Sequence, residues 1–248
     1  MSAGQSRGVS GLTIVGTESG CGKTVFMTGL SALLRQQGVN VRAVKPICLG
    51  SKERAESEIS FICSISGTPR NYASVVISSA KNLSEAQWAH SLSVGQGAEL
   101  SLVETPGSCA SPMSFEQNNV GTLAHAWKDT RDFARELNYP CIIVAHHNHE
   151  AIEKLVLAYS YMNEFVKIAG MVTVETQANE GKQLESKLTR SEVALLLSSR
   201  TRAPYLGCLK FSPSISVPRV NQGNLVKVTA EGIDLLLILK ALNLGLVK

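Results

Sequence analysis

The sequence predicts one α/β domain built on a doubly wound, mostly parallel sheet with helices on both faces. Three observations predict it. Strand-like and helix-like segments alternate along nearly the whole 248-residue chain, the mark of crossovers between parallel strands. The run Cys141–Ala145 is continuously apolar, as strands buried on both faces are. A hydrophobic content of 44% is enough to fill one core of this size. The domain is expected to span 1–248, with the polar, Gly- and Ser-containing residues 1–10 as a disordered lead.

The stretch around which the chain is organised runs from Leu12 to Leu30. Leu12, Thr13, Ile14 and Val15 have strand character and run into a Gly16-Thr17 corner. Gly20-Cys21-Gly22-Lys23-Thr24 then opens a helix whose Val25, Met27, Leu30, Leu33 and Leu34 recur at helical spacing. Strand, glycine loop and helix in this order make a phosphate site. Glycines let backbone N–H groups turn inward, and the helix start adds free donors and the positive end of its dipole. In such a loop Lys23 reaches the β- and γ-phosphates and the Thr24 hydroxyl ligates Mg²⁺. The pattern G-x-x-x-x-G-K-[ST] is met only with its first glycine displaced, because Thr17 stands there and the leading glycine is Gly16.

The first helix is expected to stop near Gly38. Val39–Val44 reads as a second strand, and Pro46 then forces the chain out of the sheet. That leaves Lys45 at a strand's C-terminal end, the edge where open parallel sheets hold ligands. Residues 51–67 read as a loop and a helix with Glu53, Glu56 and Glu58 near its start. Such carboxylates serve the helix dipole, or Mg²⁺ where the loop folds over phosphates. Ser74–Ile77 has strand character, and Ser84–Ser93 reads as a helix in which Trp88 is a packing residue and His90 a surface one. Ala98–Val103 is a strand that delivers Glu104 into Thr105-Pro106-Gly107-Ser108, the place from which nucleotide-binding sheets hold Mg²⁺. A helix is expected over Thr122–Leu137, with Trp127 facing inward, and then the strand Cys141–Ala145.

The segment His146-His147-Asn148-His149 follows. Adjacent side chains diverge and no matching Cys/His set stands elsewhere, so it reads as a loop at the active edge rather than a metal centre. Glu150–Asn163 and Lys182–Ser198 are expected helices, with the strands Ile168–Val174 and Pro204–Leu209 alternating with them. Phe211–Asn224 is a loop and Glu231–Leu242 a last amphipathic helix.

Composition excludes several classes. A formal charge of +4 without a basic run interleaved with aromatics does not imply nucleic acid. The N-terminal segment has no apolar h-region and the chain no apolar run of membrane-spanning length, so a cytoplasmic protein is expected, without a membrane partner. Cys21, Cys48, Cys63, Cys109, Cys141 and Cys208 form no C-x-x-C pair and read as reduced thiols. Cys21 reads as a small residue tolerated in the loop.

The loop Gly16–Thr24 resembles the G-T-[DN]-T-x-x-G-K-T segment of dethiobiotin synthetase, a family of the P-loop NTPase superfamily, down to the displaced leading glycine. Lys45-Pro46 followed by Gly50 is similar to that family's K-P-[VI]-x-[ST]-G, and Glu104 stands where it has V-E-G-A-G-G. Asn138-Tyr139-Pro140 before Cys141 is similar to its l-P-v-i-l-V strand. The resemblance implies a ligase dependent on ATP and Mg²⁺ that closes a ureido ring from a small vicinal diamine and CO₂, through a carbamate phosphorylated by ATP. It implies a homodimer as well. On its residues, Lys45 and Lys23 are catalytic, and Gly20, Cys21, Gly22, Lys23, Thr24 and Val25 hold the nucleotide with Glu104 and Gly107. Thr24, Glu58 and Glu104 hold the metal.

The chain departs from that pattern at the substrate and base ends. Leu49 replaces a hydroxyl four residues after the catalytic lysine, Glu58 an Asp, Thr105-Pro106 a Gly-Ala, and Val174 an Asn that contacts adenine. A nucleotide-binding switch or decayed homologue that binds ATP without this chemistry is therefore the alternative. Partitioning-type ATPases carry a second lysine early in the loop, and Glu18 and Ser19 stand there instead.

Overall fold

A computed structural model describes residues 11–73, 76–78, 83–95, 98–115, 127–179, 181–182 and 188–243. In chain order the elements are β1 (Gly11–Gly16), α1 (Lys23–Gln36), β2 (Val41–Val44), β3 (Ile47–Leu49), α2 (Lys52–Ser66), α3 (Arg70–Ala73), β4 (Val76–Ser78), α4 (Glu85–Gly95) and β5 (Leu100–Glu104). Then come β6 (Pro112–Phe115), β7 (Trp127–Asp129), α5 (Thr130–Leu137), β8 (Cys141–His146), α6 (Ala151–Met162) and β9 (Ile168–Val174). The helix Arg190–Arg200 (α7), the strand Tyr205–Leu209 (β10) and the helices Leu225–Gly232 (α8) and Leu235–Ala241 (α9) complete the described chain.

Six strands form one sheet in the order β10-β9-β8-β1-β5-β2, and every neighbouring pair is parallel. Each strand is buried on both faces, so alternate residues feed different cores. Leu12, Ile14, Ile142 and Val144 face the core shared with α1 and α2, while Val15, Ile143 and Ala145 face the one under α6 and α7. Parallel strands put all their C-terminal ends on one edge. There Gly16, Lys45, Glu104, His147 and Glu175 end or follow their strands. The connection from β1 through α1 to β2 steps over β5 in one direction, and the one from β5 through α5 to β8 steps over β1 in the other. β1 therefore lies at the topological switch point.

The chain leaves the main sheet after β2, as Pro46 implies, and β3 pairs in parallel with β4 in a separate two-stranded sheet. β4 covers the described part of the expected Ser74–Ile77 strand; residues 74–75 lie outside it. Trp88 packs edge-on against Phe133 with ring centroids 5.3 Å apart, and His90 is exposed.

Three helix expectations need correction. Trp127 is neither helical nor inward: it is exposed, β7 pairs antiparallel with β6, and the helix begins only at Thr130, where Asp129 and Asp132 cap it reciprocally. Residues 122–126 of that expectation lie outside the described chain. The expected Glu231–Leu242 helix is two helices broken at Ile233 and Asp234. There the Asp234 N–H donates to the Leu206 carbonyl at 2.7 Å, Ile233 bridges Gly207, and the Asp234 carboxylate accepts from the Leu237 N–H. A tertiary bond to β10 thus replaces a helical one. The expected Lys182–Ser198 helix is interrupted by a non-helical Leu188 and an extended, capping Thr189, and the helix that follows runs from Arg190 to Arg200; residues 183–187 lie outside the description.

Candidate functional site

The site begins where β1 ends. Gly16 is held from both sides: its carbonyl accepts from the Cys109 N–H at 2.8 Å, and the next N–H, of Thr17, donates to the Val144 carbonyl at 2.9 Å. The displaced leading glycine has a physical reason. A Cβ on Gly16 would stand 2.6 Å from Lys23 Nζ, so the ammonium occupies the space that a side chain there would fill. Gly22, at the N-cap of α1, has φ of 93° and a missing Cβ that would stand 2.5 Å from the Val174 side chain. Left-handed backbone and close approach together require glycine.

α1 has no side-chain cap and no acid in its first turn. By contrast α2 is capped by Ser51 and α5 by Asp129. The donors at the start of α1 are therefore not taken by a side chain, which is the arrangement that receives an anion. Lys23 is buried, and its ammonium donates to the carbonyls of Gly107 at 2.7 Å and Glu18 at 3.0 Å. Neutral oxygens hold the cation without cancelling its charge. Gly107 thus enters the site through its carbonyl. Val25, in the first turn of α1, is partly buried and packs against the core. Cys21 is fully buried and its thiol donates to the Val144 carbonyl at 3.2 Å. Burial raises its pKa, so it remains a thiol beside the phosphate loop.

Beside the loop is a cluster of buried charges. Lys45 Nζ lies 2.7 Å from Glu104 Oε1 and 2.6 Å from Glu58 Oε2. The Thr24 hydroxyl donates to the same Glu104 oxygen at 3.0 Å, and Arg54 Nε reaches Glu58 Oε1 at 3.1 Å from the solvent side. Four elements bring these groups together: the start of α1, the ends of β2 and β5, and the face of α2. Burial alone would lower the pKa of Lys45, but the charges of Glu104 and Glu58 outweigh it and hold the group well above its ordinary range. For Glu58 burial acts upward, and the charges and hydrogen bonds of Lys45 and Arg54 together outweigh it, so its carboxyl is held below the usual value. Lys45 is a fixed cation here, suited to holding an anion and unsuited to serving as a base.

The residues present fit a divalent cation. Thr24, Glu58 and Glu104 offer only oxygen, as Mg²⁺ prefers. Glu104 Oε2 is buried with no hydrogen-bond partner, a state that costs stability unless something else takes the lone pairs. The two carboxylates share one buried ammonium, and their other cation, Arg54, is largely exposed. Of the other two acids of α2, Glu56 pairs with Arg70 and Glu53 is exposed, so neither joins the cluster.

The substrate and base ends are apolar where the resemblance expects polar groups. Leu49 is partly buried at the end of β3, Pro106 offers a carbonyl that accepts weakly from Thr130 at 3.4 Å, and Val174 packs on Gly22. The histidine segment is at the active edge as expected. His147 is buried with Nδ1 2.8 Å from the Thr173 hydroxyl, and among the described residues no group of three or more His, Cys, Asp or Glu converges. The six cysteines are free thiols. No helix among the described residues is long and apolar enough to cross a membrane.

A parallel six-stranded sheet with a glycine loop, a buried lysine and a threonine at the head of the first helix defines a P-loop nucleoside triphosphatase. Residues 10–219 match the family AAA_26, described as an AAA domain, and the chain belongs to that family. It is a P-loop ATPase domain, and such domains bind nucleotide, typically with Mg²⁺. Among solved structures it is similar to the MinC:MinD cell division protein complex of Aquifex aeolicus, with a TM-score of 0.53 and 10% identity over 90% of this chain and 95% of that one. At that identity the likeness shows the fold alone, which is MinD-like. No curated protein sequence matches the chain.

Proposed function

We propose that the chain is an ATP- and Mg²⁺-dependent ligase of the dethiobiotin synthetase type, acting on a small vicinal diamine and CO₂. The observation that carries this reading is Lys45. Nucleotide binding alone requires no buried cation at the end of β2, where it contacts both candidate metal-binding carboxylates. The family, which takes in dethiobiotin synthetase as well as MinD-like ATPases, is compatible with it.

In this reading one substrate amine takes up CO₂ and loses a proton to become a carbamate. A carbamate oxygen attacks the γ-phosphorus with ADP leaving, and the second amine then attacks the carbonyl carbon and expels phosphate, closing the ring. Lys45 holds the anionic carbamate and the phosphoryl oxygens, exchanging its carboxylate partners for them. Lys23, positioned by the carbonyls of Glu18 and Gly107, turns its charge to the transferring phosphoryl group, whose growing charge it stabilises together with the loop N–H groups. Thr24, Glu58 and Glu104 would hold Mg²⁺, which supplies charge neutralisation at the phosphate oxygens. A homodimer belongs to the proposal through the resemblance, and a monomer by light scattering would remove it.

The second reading is a switch that binds ATP without this chemistry, favoured by Val174, whose side chain is engaged in packing the loop. Phosphate release from Mg²⁺-ATP and bicarbonate, with and without a 7,8-diaminononanoate-type diamine, separates the two. Diamine-dependent release with a ureido product supports the ligase. Tight ATP binding without it supports the switch.

A further inference from the structure

Glu18 is a carboxylate in a loop that receives anions. Its two oxygens each lie 3.0 Å from Lys154 Nζ, and that ammonium also lies 2.6 Å from Glu150 Oε2. Lys154 belongs to α6, 136 residues away in the chain. The main-chain carbonyl of the same Glu18 accepts from Lys23 Nζ at 3.0 Å. Three residues therefore form a line: Lys154 grips the Glu18 carboxylate, and the Glu18 backbone grips the phosphate-binding lysine.

Both ends of the outer pair are about a third exposed, with side-chain accessibilities of 28% for Lys154 and 34% for Glu18. Ion pairs at such positions contribute little to folding. Near a polyanion the same carboxylate matters more. An uncompensated charge within several ångströms of a triphosphate repels it, by an amount that grows as water is displaced.

We propose that Lys154 is a positioning residue of the nucleotide site, which neutralises Glu18 and fixes the loop so that the Glu18 carbonyl presents Lys23 to the phosphates. The proposal rests on nucleotide binding by the loop and is independent of the ligase chemistry. It distinguishes a role in binding from a role in folding, because the pair's own contribution to stability is small.

Calorimetric titration of the full chain with Mg²⁺-ATP tests it. Lys154→Met is expected to weaken binding about tenfold, and Lys154→Arg to keep it within about twofold. Glu18→Gln removes the carboxylate that needs compensation, so the double variant Glu18→Gln with Lys154→Met recovers most of the affinity. Thermal midpoints without nucleotide stay within about 3 °C of one another. Unchanged affinity in Lys154→Met overturns the proposal, and so does a double variant as weak as Lys154→Met. Failure of the unaltered chain to bind would instead remove the nucleotide reading and this proposal with it, a distinguishable result.

Discussion

Two regions share the C-terminal edge of the sheet and are built on opposite terms. At the phosphate end Lys23, Thr24, Lys45 and Glu104 are buried and Glu58 nearly so, all of them polar or charged groups. At the substrate and base end Leu49, Pro106 and Val174 are apolar, and Val174 closes onto Gly22 as an ordinary core residue would. Desolvating charges costs several kcal/mol each before pairing returns part of it, and a hydrophobic cluster of the same volume would serve the fold at least as well. The phosphate end is therefore kept against the interest of stability, which is the sign of a task. The other end follows packing.

The largest effect that tests this contrast is expected for Lys23→Ala. Its ammonium is held by neutral carbonyls with its charge intact, so nucleotide affinity should fall on the order of 100-fold or more. Retained affinity in an equilibrium titration would sink the assignment of the phosphate end.

Lys45→Met comes next. The methionine fills the volume but strands buried Glu104 without a cation and leaves Glu58 only Arg54 on its solvent side, and breaking such a buried set costs about 3–5 kcal/mol. Turnover should be lost while nucleotide affinity stays within a few-fold. Because Mg²⁺ can take the place of the missing charge, millimolar Mg²⁺ should raise the thermal midpoint of this variant more than that of the unaltered chain. Equal Mg²⁺ shifts in both would show that the two carboxylates do not form a cation site.

At the other end the expected change is smaller and its direction is diagnostic. Val174→Asn restores the residue type of the resembled family at a position that is 2% exposed. If the end is now packing, the buried amide costs about 1–3 kcal/mol and ATP affinity does not improve. Tighter ATP binding in this variant would show a base contact that was silenced rather than a wall that was rebuilt.

The same contrast explains what could be read from the chain. Local signals located β1, the glycine loop and α1, and the strand ends carrying Lys45 and Glu104, because strand, turn and helix chemistry there is continuous in sequence. The contacts among Lys45, Glu58 and Glu104 join three separate segments, so only the family resemblance pointed to them. β3 and β7 span three residues each, too short for a period to show. The break at Ile233 depends on the Leu206 carbonyl of another strand, although Gly232 and the capping Asp234 were local hints. The Glu18–Lys154 pair had no sequence signal, because Lys154 lies on α6, 136 residues away, where the local pattern shows only a Glu150–Lys154 pair.

Glu58 offers the finest cut, since it belongs to the phosphate end but sits at its margin, with Arg54 on its solvent side. Burial raises its pKa, and the charges and hydrogen bonds of Lys45 and Arg54 together lower it further than burial raises it. An unfolded chain takes up a proton there near the ordinary value of about 4.3, before the folded chain does. The stability from this pairing is thus complete above that value and drains away as pH falls through the lower folded pKa. Glu58→Gln has no carboxyl to titrate, so it should be less stable than the unaltered chain at pH 7, and the two should converge as pH falls below about 4.3. Urea midpoints at pH 7, 5, 4 and 3 measure it. Parallel curves would mean that the Lys45–Glu58 contact contributes no net stability, and the charge balance of the phosphate end would then rest on Glu104 alone.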